Sequence, residues 1–111
     1  RREQRTLIFD EVDAGIGGAT ANAVGERLAR LAEQHQVLVV THSPQVAVRG
    51  AQHFRINKRS EERATFTHVA NLEGLARREE IARMLSGAEI TDEARAAADR
   101  LIGEAAMEPS L

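Results

Sequence analysis

The chain contains no cysteine, no tryptophan and no tyrosine, and its only aromatic side chains are three phenylalanines among 111 residues. Without cysteine, disulfide bonds and thiolate metal sites are excluded. So few aromatic side chains argue against a surface that stacks the bases of single-stranded nucleic acid. The formal net charge of −2 gives no broad basic field, so a DNA-binding surface would have to be local or lie elsewhere.

The sequence also lacks any long apolar run. The longest runs contain only a few residues, which is far too short for a membrane span. The opening residues, RREQR, are charged, and the apolar stretch of a signal peptide does not follow them. We therefore expect a cytoplasmic protein that does not engage a membrane, and the length suits one small domain.

The first half of the chain has the pattern of a strand, a helix and a second strand. Thr6–Phe9 and Val37–Val40 are short apolar runs typical of fully buried strands. A glycine-rich turn over residues 14–18 leads into a helical pattern over residues 19–34, where Gly25 indicates close packing. This spacing favours two parallel strands joined by a right-handed crossover.

The second half predicts a short helix, a hairpin and two longer helices. Pro44 suits the first turn of the short helix, and Ser43 suits its N-cap. The stretches QHFRINK and TFTHVANL predict a β-hairpin that is more exposed than the first two strands. One helix is expected over about residues 75–85, ending at Gly87, and another after a cap at Thr91.

Two further features are expected to be structural. The arginines within residues 77–83 alternate with two glutamates, which predicts a solvated helix face. No motif supports a functional role for the other three histidines, so we expect them to be surface or sheet residues; they are His35, His53 and His68.

Acidic residues and a histidine follow the two apolar strands. Asp10 and Glu11 come directly after the first strand, and Thr41 and His42 close the second. Because ligands of parallel α/β sheets bind at the carboxyl ends of the strands, we expect one site here. Carboxylates repel a bare phosphate but suit Mg²⁺, which takes carboxylates together with water and substrate phosphate oxygens. Glu11 could then orient or deprotonate a water for attack on a γ-phosphate, to which His42 could donate a hydrogen bond.

An apolar strand that ends in Asp-Glu is the Walker B pattern of P-loop ATPases, and a histidine after the next strand strengthens it. The stretches FDEVDAGIGG and THSPQVA, together with HFRINK, TFTHVANL and REEIARMLSGAEITDEARAAADRLI, resemble the C-terminal part of the RecN family. These are bacterial DNA double-strand-break repair ATPases of the SMC-like, ABC-type group. The resemblance covers nearly the whole chain. It implies an α/β fold for residues 1–111, the C-terminal lobe of one P-loop ATPase head, with a parallel βαβ core, a β-hairpin and C-terminal helices.

The resemblance also implies roles for individual residues. Asp10 would be the Walker B aspartate that holds Mg²⁺ through water, and Glu11 would be the catalytic base. His42 would be the switch histidine that faces the γ-phosphate. Asp13 and the glycine-rich turn would form the D-loop that crosses to a second head. The implied cofactor-binding residues are Asp10, Asp13, Gly15, Gly17 and Gly18.

The Walker A motif, the ABC signature and the glutamine loop do not occur in the sequence, and in the family they precede Walker B. ATP and Mg²⁺ are therefore expected only in the full-length protein. The expected partners are the N-terminal Walker A lobe, a second head of a homodimer and DNA, on which the protein would join the nucleoid. The isolated segment is expected neither to bind ATP appreciably nor to hydrolyse it. Its incomplete sheet is expected to leave an open edge that favours self-association.

Three alternatives remain open. The segment could belong to the head of another SMC-like ATPase. It could instead be a stand-alone metal-dependent phosphohydrolase or nuclease that uses the three carboxylates of the motif and His42 as metal ligands without ATP. It could also be a non-catalytic interaction module, which would be favoured if substituting Glu11 in the intact protein left ATP turnover unchanged.

Overall fold

The computed structural model describes residues 4–11 and 14–107. In chain order, its elements are β1 (Thr6–Asp10), α1 (Gly18–Leu31), β2 (Gln36–Val40), α2 (Pro44–Ala47), β3 (His53–Glu61), β4 (Ala64–Leu72), α3 (Gly74–Ser86) and α4 (Asp92–Met107). The fold is mixed α/β, as expected, with one parallel and one antiparallel strand pair. Within the described ranges, no helix is both long and apolar enough to cross a bilayer.

Strands β1 and β2 are parallel and are joined through α1, which confirms the predicted βαβ unit. Their register runs from Thr6 opposite Gln36 to Asp10 opposite Val40. One face of the pair packs against α1 and α2 in a small core, which is formed by Phe9, Val37 and Val39 of the strands with Ala21, Val24, Leu28 and Val46 of the helices. This packing places the carboxyl ends of both strands beside the start of α2.

The prediction that β1 and β2 are fully buried is wrong. Both strands alternate between half-buried and exposed residues, and the exposed set includes Ile8, at 70%, and Leu38 and Val40, each at 46%. Successive strand residues point to opposite faces of a sheet. Among the described residues, helices cover one face only, so the other face presents its aliphatic side chains to solvent.

A second core joins the end of α2 to α3 and α4. Its buried members are Val48, Ile81, Ala82, Ala94 and Ala98. The hydroxyl oxygen of Thr91 accepts a hydrogen bond from the backbone N–H of Ala94 at 3.0 Å, which confirms the predicted cap. Helix α3 ends at Ser86 and is followed by its predicted C-terminal cap, Gly87, whose φ of +85° is a conformation that favours glycine.

Strands β3 and β4 form the predicted antiparallel hairpin, paired from His53 opposite Leu72 to Glu61 opposite Ala64. Apart from His53 and Leu72, every residue of the two strands is exposed. The hairpin is thus more exposed than β1 and β2, as predicted.

The prediction of a solvated face for residues 77–83 is wrong at two positions. The Arg77 guanidinium donates to backbone carbonyls outside its own helix, those of Ala47 and Gly50. Glu80 is buried and accepts two hydrogen bonds of 2.7 Å from Arg83, which hold the pKa of its carboxyl below the ordinary value. Helix α3 contacts both α2 and α4, so part of its charged surface faces protein rather than water.

Candidate functional site at the carboxyl ends of β1 and β2

Glu11 and His42 meet where the two parallel strands end. The imidazole Nε2 of His42 lies 3.3 Å from the carboxylate Oε1 of Glu11. The backbone N–H of Glu11 donates to the carbonyl of Val40 at 2.9 Å, which extends the ladder of the strand pair by one bond. The parallel register therefore carries the two side chains to the same edge of the sheet, where ligands of such sheets bind.

The backbone of Glu11 turns sharply away from β1. Its φ is +52°, and it is the only non-glycine residue in the described ranges with a positive φ. Its carbonyl accepts a hydrogen bond from the N–H of Ala14 at 3.1 Å, which closes the turn. Residues other than glycine adopt this left-handed backbone conformation at a free-energy cost. Residues that do adopt it cluster at functional sites.

His42 is positioned by the residues that follow it. The N–H of Ser43 donates to the Thr41 hydroxyl oxygen at 2.9 Å. The Ser43 hydroxyl oxygen accepts from the N–H of Val46 at 3.4 Å and so caps α2, as predicted. The same hydroxyl donates to the side-chain oxygen of Gln45 at 3.1 Å. His42 thus stands immediately before a capped helical turn.

The Glu11–His42 contact contributes little to the stability of the fold. The side chain of His42 is 89% exposed and that of Glu11 is 51% exposed. Exposed ion pairs contribute about 0–1 kcal/mol, because water screens them and both side chains lose rotamer freedom. The two groups are therefore accessible to a ligand.

An open cleft of about 300 Å³ lies beside the pair. Its walls come from the end of β1, the glycine-rich turn, the start of α1 and the start of α2. Gly15 and Gly18, two of the predicted cofactor-binding glycines, line it together with Glu11 and His42. The cleft also includes Gln45, which sequence reasoning missed although it stands in the first turn after the Ser43 cap.

Two other predicted site residues, Asp10 and Gly17, are described by the structure but are not brought into the cleft. Asp10 is exposed at the end of β1 and does not line the cleft, and neither does Gly17. Asp13 lies outside the described residues. Among the residues that the structure describes, no three histidine or carboxylate side chains gather in a way that could hold a metal ion.

Helix α2 is packed tightly against α1. A Cβ at Gly25 would lie 3.1 Å from the carbonyl oxygen of Gln45 and 3.5 Å from the Cα of Val46, which confirms the predicted close packing. Arg49, just after α2, donates to the Asn22 side chain at 2.9 Å and pairs with Glu26 at 3.5 Å. These contacts hold α2, the helical turn that follows His42, against α1, the helix that begins at the cleft.

Comparison with characterised proteins identifies close relatives. The chain is 54% identical over 99 residues to the DNA repair protein RecN of Xylella fastidiosa strain Temecula1, a match that covers 89% of this chain and 18% of the relative. It is 57% identical over 82 residues to RecN of Deinococcus radiodurans, which covers 74% of this chain and 14% of the relative. RecN of Streptomyces coelicolor is 47% identical over 97 residues, which is 87% of this chain and 17% of the relative. No protein-family model matches the chain.

These relatives agree with the resemblance carried by the stretches FDEVDAGIGG and THSPQVA, and each match extends over most of this chain. The chain spans less than a fifth of the length of the relatives it matches. It therefore belongs to the RecN family, as a segment similar to one part of its full-length members.

Proposed function

We propose that this segment supplies the hydrolytic residues of a RecN-type ATPase that acts in DNA double-strand-break repair and recombination. The observation that supports the proposal best is the 3.3 Å contact between Glu11 and His42 at the carboxyl edge of a parallel strand pair. A general base and a hydrogen-bond donor are the groups that hydrolysis of a γ-phosphate needs on this side of the nucleotide. The relatives' name, DNA repair protein, supports the biological role.

In this proposal, the Glu11 carboxylate accepts the proton of the attacking water, and the His42 imidazole donates a hydrogen bond to the γ-phosphate. Both groups are open to the cleft, so a nucleotide can separate them and lie between them. Carboxylate oxygens are suitable Mg²⁺ donors, and Asp10 would hold the ion through water, where Mg²⁺ would offset the negative charge of the phosphates.

The remaining contacts to ATP would come from other parts of the full-length protein. We propose that the N-terminal Walker A lobe binds the phosphates and that a second head of a homodimer receives the D-loop, with Asp13, Gly15, Gly17 and Gly18. DNA would bind to the full-length protein. The solvent-facing aliphatic side chains of β1 and β2 support the need for a further lobe, because an apolar sheet face of this kind is normally covered.

The test uses a full-length relative whose matched stretch is replaced by this chain; the Xylella fastidiosa RecN is suitable, since it matches 89% of the chain. Glu11→Gln should lower steady-state ATP turnover by about 10²-fold or more, because it removes a general base while keeping the size of the side chain. ATP binding, measured with a fluorescent analogue, should persist. Glu104→Gln, at an exposed position of α4, is the matched control and should leave turnover unchanged.

Two results would point to the other functions. Unchanged turnover in the Glu11→Gln graft, in a protein whose unsubstituted graft is active, would favour a non-catalytic interaction module. Divalent-metal-dependent cleavage of DNA by the 111-residue chain itself, lost in Glu11→Gln, would favour a stand-alone nuclease.

A further inference from the structure

The segment α2 has few means of holding its own shape. It is four residues long, from Pro44 to Ala47. A helix of one turn is marginal in water, because nucleating it fixes several backbone dihedral angles for a single hydrogen bond. Its first turn is capped by Ser43. At its other end the carbonyls of Val46 and Ala47 accept hydrogen bonds from the N–H groups of Arg49 and Gly50, at 3.0 and 3.2 Å, but the backbone then leaves the helix, so no further helical turn supports these last carbonyls.

Arg77, on α3, contacts carbonyls at and just beyond this end of α2. Its Nη2 lies 2.7 Å from the carbonyl oxygen of Gly50, 3.1 Å from that of Ala47 and 3.4 Å from that of Val48. A guanidinium remains charged in proteins and makes stronger hydrogen bonds than a neutral donor. Arg77 is only partly exposed, so its bonds are less screened by water than those of a surface arginine.

We propose that Arg77 is a positioning residue for His42, acting through α2. His42 directly precedes the Ser43 cap, and Arg77 holds the opposite end of the same turn. The side of α2 that faces α1 is fixed by Gly25, and Arg77 fixes its end toward α3. The α2 turn is thereby held from two sides, and the histidine at its start stays beside Glu11.

This inference rests on the proposed function for its effect on catalysis, and its geometric part can be tested without ATP. In the 111-residue chain, Arg77→Met should shift the imidazole resonances of His42 in a ¹H–¹³C spectrum. His35, at the far end of the β1–β2 pair, should keep its resonances. Arg78→Met is the matched control, because Arg78 is the next residue of α3 but contacts Glu79 and Asp99 rather than α2.

The catalytic part is tested by a double-mutant cycle in the grafted full-length relative. Arg77→Met should lower ATP turnover by about fivefold to tenfold when His42 is present, since small displacements of catalytic groups have effects of this size or larger. In a His42→Ala background the same substitution should change turnover by less than about twofold, because the group that it positions is gone. Arg77→Lys, which keeps the charge, should restore part of the loss.

The outcomes separate the two proposals. When His42→Ala itself lowers turnover, equal losses from Arg77→Met in the two backgrounds, or no loss in either, would show that Arg77 does not act through His42 and would overturn the inference. Unchanged His42 resonances in Arg77→Met would overturn it as well. If His42→Ala itself leaves turnover unchanged while Arg77→Met still shifts the His42 resonances, the role of His42 in hydrolysis is wrong and the positioning by Arg77 stands. If the Met variant does not fold, the Arg77→Lys cycle decides by the same comparison, with a loss of about twofold expected only when His42 is present.

Discussion

Replacing Gly25 with alanine would test the close packing of α1 against α2. The added methyl group would lie 2.9 Å from Cγ of Arg49 and 3.1 Å from the carbonyl oxygen of Gln45. The Arg49 side chain is 10% exposed and is held by Asn22 and Glu26, and the Gln45 carbonyl belongs to the backbone of α2, so neither atom moves aside easily. The two helices must therefore move apart by a few tenths of an ångström, or the methyl group stays compressed.

Two opposing effects set the size of the change. Alanine is favoured over glycine in a helix interior by about 1 kcal/mol, because an alanine residue loses less backbone conformational entropy on folding than a glycine residue does. Overpacking a tight contact destabilises proteins by about 1–3 kcal/mol. We expect the steric effect to prevail, with a net loss of about 1 kcal/mol and a fall in Tm of about 5 °C for a chain of this size.

Gly103 of α4 is the matched control, because an added methyl group there would meet nothing within 4 Å. Gly103→Ala should raise the free energy of unfolding by about 0.5–1 kcal/mol. Both variants are measured by urea unfolding of the 111-residue chain, followed by circular dichroism. If Gly25→Ala stabilises the chain as much as Gly103→Ala does, the close contact between α1 and α2 is wrong.

Three further predictions concern acid stability, association and nucleotide binding. Burial and the nearby Arg77 lower the pKa of His53 below its ordinary value of 6.5, against the opposing effect of Glu80. As the pH falls, the unfolded chain therefore binds a proton at His53 before the folded chain does. The free energy of unfolding should fall as the pH drops below about 6.5. His53→Gln removes this difference, so the midpoint of its urea unfolding should depend less on pH. Ile8→Lys should reduce the concentration-dependent association of the 111-residue chain in sedimentation velocity, and a chain that is monomeric at every concentration would contradict the open-edge reasoning. The same chain should show no saturable ATP binding in calorimetry, and heat that saturates with ATP and is lost in Glu11→Gln would refute that expectation.

Features set by nearby residues could be predicted from the sequence. The caps at Ser43 and Thr91 each depend on one hydroxyl and an N–H three residues later, and both form. The end of α3 at Gly87 is equally local. Helix α1 is shorter than predicted, ending at Leu31 rather than near Gln34, because the N–H groups of Glu33 and Gln34 bond three residues back and tighten the last turn.

Features set by distant packing could not be predicted in the same way. The apolar runs of β1 and β2 are typical of strands covered on both faces, but periodicity does not show how many layers pack on a sheet. Arg77 donates hydrogen bonds to backbone carbonyls outside its own helix. Because every residue has a backbone carbonyl, the amino-acid sequence does not show which of them accept a hydrogen bond from a distant side chain. The alternation of Arg77 with glutamates therefore looked the same as that of a solvated helix.

The position of Glu11 and His42 at one edge of the sheet could be predicted from the sequence, because a parallel register links the two strand ends. Asp10 lies opposite Val40, so the next residues of each strand, Glu11 and Thr41, leave the sheet at the same level. A slip of one residue would move one strand by about 3.3 Å and reverse its faces. Phe9 and Val39 would then leave the core under α1, so the apolar packing opposes the slip. The register that brings Glu11 and His42 to one edge of the sheet is therefore fixed by the core beneath the strands, and not by the weak attraction between two exposed side chains.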